Sequence, residues 1–227
     1  MSSLGDYTSA SPPLAPPRFP PGMASEPTTR RDLFGGAISA DLPSRYVDVS
    51  DFRPIPDNQE VWADASRDES VVVEILERQP EAGASGGICA AEWFFRDLCV
   101  EVDARVETGD AAVLRAYPLD DPAALAGLRV DERATTGAVS ASACVGRQSV
   151  AKSRDAARND VEVALVCIRL DAHRTDVLVT VNRALAIAPG SSAVAPDAGK
   201  PGVPDAEATA RAVAETFRVV DWNLFAG

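Results

Sequence analysis

Two apolar stretches joined by a short polar turn constrain the fold of this chain more than any other feature. Val161–Leu170 and Asp176–Asn182 are rich in β-branched residues, and the segment between them, Asp171–Thr175, is mostly polar. This pattern predicts a β-hairpin. Because the two strands are apolar at nearly every position, and not only at every second one, both faces of their sheet must be covered. The chain therefore needs packed layers on both sides of a central sheet.

Other segments have the patterns of shorter strands and of two helices. Alternating apolar and polar residues predict four further strands, which are Ala37–Leu42, Gln59–Ala63, Ala112–Ala116 and Thr136–Val145. Apolar residues at helical spacing predict two helices, at Ala90–Val100 and Asp205–Phe217. Asp205 follows a proline and is the expected N-cap of the second helix.

The stretch Glu69–Arg78 can be interpreted in two ways. Its three consecutive valines, Val71–Val73, favour a strand, whereas Ser66–Glu69 has the pattern of a capping box that opens a helix. We expect a helix. The choice matters because a helix places Glu74 and Glu77 on one face, whereas a strand places them on opposite faces.

Proline and small polar residues mark two segments that we expect outside the packed core. Residues 1–31 contain 7 of the 17 prolines and are expected to form a disordered tail, since they offer little apolar surface to bury. A polyproline ligand for an SH3-type groove is the alternative for the PPLAPP stretch. Ala188–Pro204 is expected to be a long flexible loop. The folded domain should therefore span residues 32–227.

Charge and composition exclude several classes of function. The formal charge of −12, from 22 basic and 34 acidic side chains, argues against nucleic-acid binding, which needs a basic surface. No apolar run approaches the ~20 residues of a membrane helix, so we expect no membrane association. The only histidine, His173, lies in the predicted hairpin turn, and no P-loop is present. Four cysteines without metal-site spacing are expected to be reduced thiols. We therefore predict no catalytic residue, no metal and no cofactor.

The acidic residues are concentrated in one segment that also contains residues typical of a folded surface. Between Asp48 and Glu81, ten acidic side chains occur with three basic ones, a net charge of −7. The segment also contains Phe52, Trp62 and two prolines that stiffen the backbone. A solvated surface alone would account for this charge. Carboxylates fixed on a folded surface would also create a directed negative potential that attracts a basic partner protein.

Six blocks of residues, spread over about residues 33–225, occur in a recognisable order. They are Leu33–Ile38, Val47–Trp62, Val72–Glu77, Gly146–Lys152, Ile168–Asn182 and Phe217–Phe225. The second block contains PDNQEV, the most specific of these motifs. Together the blocks resemble the Ran guanine nucleotide release factors, the Mog-type family. The proline-rich tail and the long segment Ala188–Pro204 depart from the family's pattern.

The resemblance implies a fold and a function. The fold would be an α+β, three-layer α/β/α sandwich with helices on both faces of a central, mainly antiparallel sheet, as in the PsbP proteins. The family binds the small GTPase Ran and promotes release of its bound guanine nucleotide, which supports nuclear protein import. A member would act by binding and not as an enzyme, as a monomer in the nucleus and cytoplasm, with other nuclear transport factors as further partners. The alternatives are a PsbP-like photosynthetic accessory protein and a Ran adaptor without exchange activity.

The resemblance also implies which residues contact Ran. Glu74 and Glu77 match acidic residues of the family's Ran-binding surface, and we expect them to be the primary contacts. The neighbouring PDNQE motif is expected to support them. The full set of candidates is Glu74, Glu77, Asp57, Glu60, Asp48, Arg53 and Gln59. A purely structural role is the alternative for Asp48, Arg53, Asp57 and Gln59. Asp57 and Asn58 can form a turn after Pro56, and Arg53 can pair with Asp51 or Asp57.

Overall fold

A computed structural model describes residues 26–84, 87–119, 139–151, 157–191, 193–201 and 203–225. Ten strands and two α-helices lie in these ranges. The strands are β1 (Thr28–Leu33), β2 (Ile38–Pro43), β3 (Val47–Asp48), β4 (Gln59–Asp64), β5 (Glu69–Glu77), β6 (Ala111–Pro118), β7 (Val139–Ala151), β8 (Arg158–Leu170), β9 (Thr175–Ala186) and β10 (Arg218–Val219). The helices are α1 (Ala90–Glu101) and α2 (Ala206–Thr216). None of the helices in these ranges is long and apolar enough to span a membrane.

The strands form two sheets in which the paired strands are antiparallel. Seven strands form the large sheet, in the order β3-β4-β5-β9-β8-β7-β6, and three form a small sheet in the order β1-β2-β10. Helix α1 packs against β6, β7 and β8, whereas α2 packs against β8, β9 and β2. The result is the three-layer α+β arrangement that the resemblance implies, with the small sheet added to the layer of α2.

The central strands separate two hydrophobic cores. On β8, Val163 and Leu165 belong to the core beneath α1, while Val166 and Ile168 belong to the core beneath α2. Successive side chains of a strand point to opposite faces of a sheet, so a strand that is apolar throughout supplies both cores. The unbroken apolar pattern of the predicted hairpin has this physical cause.

The predicted hairpin, the four shorter strands and the helices at Ala90–Val100 and Asp205–Phe217 are confirmed, with somewhat different bounds. Strands β8 and β9 pair around a 3₁₀ turn at Asp171–His173, and Arg174 has a left-handed backbone. The four shorter predictions correspond to β2, β4, β6 and β7, and residues 136–138 of the last prediction lie outside the described residues. Helix α2 is capped as expected, because Asp205 Oδ1 accepts a hydrogen bond from the backbone N of Ala208 at 2.8 Å.

Residues Glu69–Glu77 form strand β5, so the expected helix is wrong. Strand β5 lies between β4 and β9, and Val71 and Val73 are fully buried beneath α2. Cross-strand packing of β-branched side chains therefore outweighs the local helix signal. Along an extended strand, Glu74 and Glu77 lie roughly 10 Å apart and on opposite faces.

The apparent capping box forms the turn between β4 and β5. The Asp64 carboxylate accepts hydrogen bonds from the backbone N of Ser66 at 2.9 Å and from its hydroxyl at 2.7 Å. Glu69 does not reach back to a helix N-terminus; its side chain is buried and accepts a hydrogen bond from the Tyr46 hydroxyl at 2.6 Å. Arg45 also donates to Glu69, at 2.9 Å. A buried carboxylate with these partners explains why a glutamate begins a central strand.

The folded part begins earlier than expected. Residues 28–31, which we assigned to the tail, belong to β1, which pairs with β2 from Thr28 opposite Pro43 to Leu33 opposite Ile38. Their sequence has no alternating apolar pattern, so only the pairing with β2 defines the strand. Residues 1–25 of the predicted tail lie outside the described residues. The described part of 188–204 contains no helix or strand and connects β9 to α2.

Candidate functional site

Four of the predicted site residues line one surface depression of about 450 Å³. They are Arg53, Asp57, Gln59 and Glu60. The loop between β3 and β4 supplies the first two, and the start of β4 supplies the other two. The turn after β1 contributes Phe34, and the C-terminal 3₁₀ turn contributes Leu224. We refer to this depression as the acidic pocket.

Hydrogen bonds hold both ends of the loop that carries Asp57. At its start, the Asp48 carboxylate accepts from the backbone N of Ser50 at 2.8 Å. At its end, the backbone N of Gln59 donates to the carbonyl of Pro56 at 2.9 Å. The Asp57 side chain is exposed, and its carboxylate makes no hydrogen bond or ion pair with the described residues. Asp57 and Asn58 form the turn between Pro56 and Gln59, as the structural alternative predicts; backbone groups close this turn, so the Asp57 carboxylate itself is available to a partner.

Glu60 forms the inner wall of the acidic pocket. Its Oε1 accepts a hydrogen bond from the backbone N of Phe34 at 2.5 Å, and Phe34 and Gly35 have left-handed backbones that form the turn. Burial raises the pKa of Glu60, and the nearby Asp48 carboxylate raises it further, while the hydrogen bond from Phe34 acts in the opposite direction. A cation that binds nearby would therefore stabilise the charged form of Glu60, because it offsets both the burial and the repulsion from Asp48.

Arg53 lies in the acidic pocket without the local pairing that we expected. Among the described residues, no ion pair joins its guanidinium to Asp51 or Asp57. The neighbouring Phe52 is 76% exposed. Arginine and phenylalanine are both enriched in protein–protein interfaces. The loop that carries Arg53 therefore offers both charge and apolar surface to a partner.

Gln59 connects Glu74 to the acidic pocket. Gln59 in β4 lies directly opposite Glu74 in β5, and Gln59 Nε2 donates to Glu74 Oε1 at 2.6 Å. Glu74 is half-buried and points to the face of the large sheet that α1 occupies. The structure thus brings Glu74 beside the PDNQE motif, although through the strand register and not through a helix face.

Glu77 lies apart from these residues. It ends β5 on the other face of the strand, and its side chain is 77% exposed. Its Oε1 lies 3.4 Å from Nη2 of Arg174, which is also exposed, so this ion pair is weak. Glu77 remains a predicted contact, but it shares no wall of the acidic pocket with Asp57 and Glu60.

Phe34 and Leu224 line the pocket although our sequence analysis did not assign them to a site. The C-terminal turn that carries Leu224 is held by stacking of Trp222 on His173, with ring centroids 4.9 Å apart, and by the buried Phe225. No local pattern marks Leu224, because its position depends on packing between residues far apart in the chain. The apolar character of the C-terminal segment was the only available signal.

The thiols in the core are not equipped for nucleophilic chemistry. All four cysteines are free. Burial raises the pKa of Cys144 to about 12, and burial also raises the pKa of Cys167 far above its usual range. The acidic pocket itself presents carboxylates, one guanidinium and apolar side chains, which suits the binding of a basic protein surface.

Comparisons with known proteins identify the family of this chain. Residues 31–184 match the family described as Ran-interacting Mog1 protein. The chain is 29% identical to the probable Ran guanine nucleotide release factor of Dictyostelium discoideum, over 88% of this chain and 98% of that protein. It is 36% identical to the Ran guanine nucleotide release factor of Homo sapiens, over 70% of this chain and 77% of that protein. The crystal structure of the Saccharomyces cerevisiae Ran-binding protein Mog1p has the same fold, with a TM-score of 0.53 at 22% identity over 88% of this chain and 100% of that chain. The chain therefore belongs to the Ran-interacting Mog1 protein family.

Proposed function

We propose that this protein binds the small GTPase Ran, promotes release of its bound guanine nucleotide and thereby supports nuclear protein import. The observation that carries the proposal is the acidic pocket, in which Asp57 stands on a loop held at both ends and Glu60 lies at the start of β4. The names of the relatives in Dictyostelium discoideum and Homo sapiens support the same partner and activity. Asp57 and Glu60, which we expected to support Glu74 and Glu77, are now the proposed primary contacts; Glu74 extends the site through Gln59, and Glu77 remains a proposed contact outside the pocket.

The proposed mechanism is a difference in affinity between states of the GTPase. A GTPase holds its nucleotide through Mg²⁺, a lysine and ordered switch loops. When the nucleotide leaves, basic groups that contacted phosphate become available to carboxylates such as those of Asp57 and Glu60, which themselves repel phosphate. A protein that binds the empty form more tightly shifts the equilibrium toward release by no more than this difference in affinity. No covalent step is needed.

Localisation and further partners follow from this proposal. A factor that acts on Ran during nuclear import would be present in the nucleus and the cytoplasm, and other nuclear transport factors would be further partners. We also propose that the protein acts as a monomer. The PsbP-like alternative receives no support from the matched relatives, which are named for Ran or for nuclear import.

Release of a fluorescent nucleotide from Ran tests the proposal directly. Ran loaded with labelled GDP, and separately with labelled GTP, is mixed with excess protein in a stopped-flow instrument, and the rate of release is measured. We expect the rate to increase for at least one nucleotide, and binding to nucleotide-free Ran to be tighter than to that loaded form. Unchanged rates despite complex formation would leave the adaptor alternative, and equal affinity for all three forms would refute the mechanism.

The raised pKa of Glu60 predicts how Ran binding depends on pH. Glu60 should lose its charge at a higher pH than ordinary glutamates, so affinity for Ran should begin to fall at a higher pH than an ordinary glutamate would cause. Protonation of Glu60 favours the folded state, because its pKa is higher there than in the unfolded chain, so titration of this group does not itself unfold the protein. Glu60→Gln keeps an acceptor for the backbone N of Phe34. Its affinity should be lower at neutral pH and should vary less with pH, and an identical pH profile for both proteins would contradict the assignment.

A further inference from the structure

A second depression lies on the α1 side of the large sheet, beside the acidic pocket. Helix α1 is placed over β6, β7 and β8, where Gly146 makes room for it: a Cβ at this position would lie 2.2 Å from Cζ of Phe95. The faces of β5 and β9 next to it are left open, and a groove of about 690 Å³ runs between these strands and α1. We refer to it as the α1 groove.

The floor and inner wall of the α1 groove are only partly apolar, because Glu74 lies between Val72 and Leu76 on the same face of β5, and Thr180 and Asn182 of β9 also line the groove. Val72 and Leu76 of β5 form the floor together with Leu178 of β9, while Trp93 and Leu98 of α1 form the wall. Four of these five side chains are only half-buried, and Leu178 is the buried one. Trp93 stands edge-on to Phe94, with ring centroids 5.1 Å apart, which presents its indole to the groove. These apolar side chains are suited to the apolar side of a bound segment.

The rim of the α1 groove is acidic. Its charged residues are Glu74, Asp97 and Glu101, and no lysine or arginine is among the described residues that line it. Asp97 and Glu101 are exposed and make no ion pair within the described part of the chain. The rim therefore has an uncompensated negative charge that complements a basic ligand.

The positions of Asp97 and Glu101 on α1 are electrostatically unfavourable. Asp97 and Glu101 are four residues apart on α1, so their like charges repel each other. Glu101 also ends the helix, where the macrodipole favours a cation. Residues that occupy unfavourable positions, with no contact in the structure to compensate, often belong to functional sites. A cationic ligand would remove both penalties.

We propose that the α1 groove binds a basic, amphipathic segment of a partner protein. Its apolar side chains would lie on Val72, Leu76 and Trp93, and its lysine or arginine side chains would contact Asp97 and Glu101. Helix α1 has 12 residues and is about 18 Å long, so the groove accommodates about three turns of helix. Gln59 lines both depressions and Glu74 belongs to both proposed sites, which places the bound segment directly beside the acidic pocket, whereas Asp97 and Glu101 line the α1 groove alone.

Binding of a synthetic peptide tests the proposal. The probe is a fluorescently labelled amphipathic peptide of about 14 leucine and lysine residues at helical spacing, and its control replaces each lysine by glutamate. Fluorescence anisotropy should show binding of the lysine peptide only. Hydrogen exchange should show protection of residues 72–79 and 93–101. Equal binding of the glutamate peptide, or protection confined to other surfaces, would overturn the proposal.

Charge reversal on α1 provides the matched comparison. The double variant Asp97→Lys/Glu101→Lys should bind the lysine peptide at least tenfold more weakly, and it should fold normally because the helix C-terminus favours lysine. The double variant Asp32→Lys/Glu215→Lys changes the net charge by the same amount at two exposed acids of β1 and α2, on the opposite layer, and should bind the peptide as the unaltered protein does. Equal losses in both variants would show attraction by net charge alone and would overturn the proposal. Ran binding should be unchanged in the α1 variant, so the two functions can fail independently; a loss of both would overturn the separation of the two surfaces.

Discussion

Replacing Asp57 by lysine is expected to weaken binding to nucleotide-free Ran by about 100-fold or more, without loss of stability. Removing one partner of a hydrogen-bonded charge pair in an interface costs about 2–5 kcal/mol, and a lysine adds repulsion from the basic groups that the site is proposed to receive. The fold should tolerate the change, because the Asp57 side chain is exposed and makes no hydrogen bond or ion pair with the described residues. Titration calorimetry with Ran and urea unfolding measure the two effects.

Asp51→Lys is the matched control for this prediction. Asp51 is an exposed acid in the same loop, and the substitution changes the net charge equally, but Asp51 does not line the acidic pocket. Its effect on Ran binding should be less than about tenfold at physiological ionic strength, where exposed charges are screened over about 8 Å. Equal losses in both variants would mean that Ran responds to the overall negative field and not to the pocket.

The same assay ranks the two glutamates of β5. Glu74→Lys should weaken Ran binding more than Glu77→Lys, because Glu74 joins the acidic pocket through Gln59, whereas Glu77 lies on the other face beside Arg174. The opposite ranking would move the binding surface to the turn between β8 and β9. Both residues were equivalent candidates from the sequence, so this comparison tests the contribution of the structure itself.

Replacing Asp176 by alanine is expected to destabilise the protein by about 3–5 kcal/mol, because removing one partner of a buried ion pair leaves the other charge uncompensated. Asp176 is fully buried and Arg169 is 9% exposed. The two side chains form two hydrogen bonds, at 2.8 and 3.0 Å, and Asp176 also accepts one from the backbone N of Gln79 at 3.0 Å. The variant therefore loses the partner of the Arg169 guanidinium and one contact between the hairpin and the segment before α1, while Arg169 keeps its hydrogen bonds to the carbonyls of Gln79 and Ala82. Urea unfolding measures the change.

Arg78→Ala provides the comparison for the buried pair. Arg78 pairs with Asp171 at the same end of the hairpin, but both side chains are partly exposed. Such pairs contribute about 0–1 kcal/mol, so the free energy of unfolding should change little. A loss of less than about 1 kcal/mol for Asp176→Ala as well would show that the buried pair is not needed for stability, as happens when a hydrophobic replacement packs equally well.

The sequence correctly predicted the strands that are buried along their whole length and the helix that is capped locally. The hairpin of β8 and β9 was evident because residues such as Val166 and Val179 must be apolar on whichever face they lie. Helix α2 was evident because Asp205 supplies its N-cap within three residues of the group it binds. In both cases the determining interaction is local, or it acts on every residue of the element.

Strand β5 was predicted wrongly because two local sequence patterns, the three valines and the apparent capping box, favoured different structures. The Ser66–Glu69 pattern is a helix start only if nothing else binds these side chains, and here Tyr46 and Arg45 bind Glu69 from another part of the chain. Strand β1 was missed for a related reason, since its polar residues Thr28–Arg31 are ordered by pairing with β2. Pairing partners are set by the topology, which a local pattern does not contain.

The sequence by itself determined two features, a sheet that is covered on both faces and a strongly acidic segment. Both are evident because apolar periodicity and charge are properties of consecutive residues. It also determined the family, through ordered motifs such as PDNQEV. Only the tertiary structure decided which acids lie together. Glu60 meets the backbone of Phe34, Gln59 brings Glu74 to the pocket, and Leu224 closes one wall from the other end of the chain. These neighbours arise from strand register and from packing between distant segments, and a one-residue change of register would have moved every side chain to the opposite face.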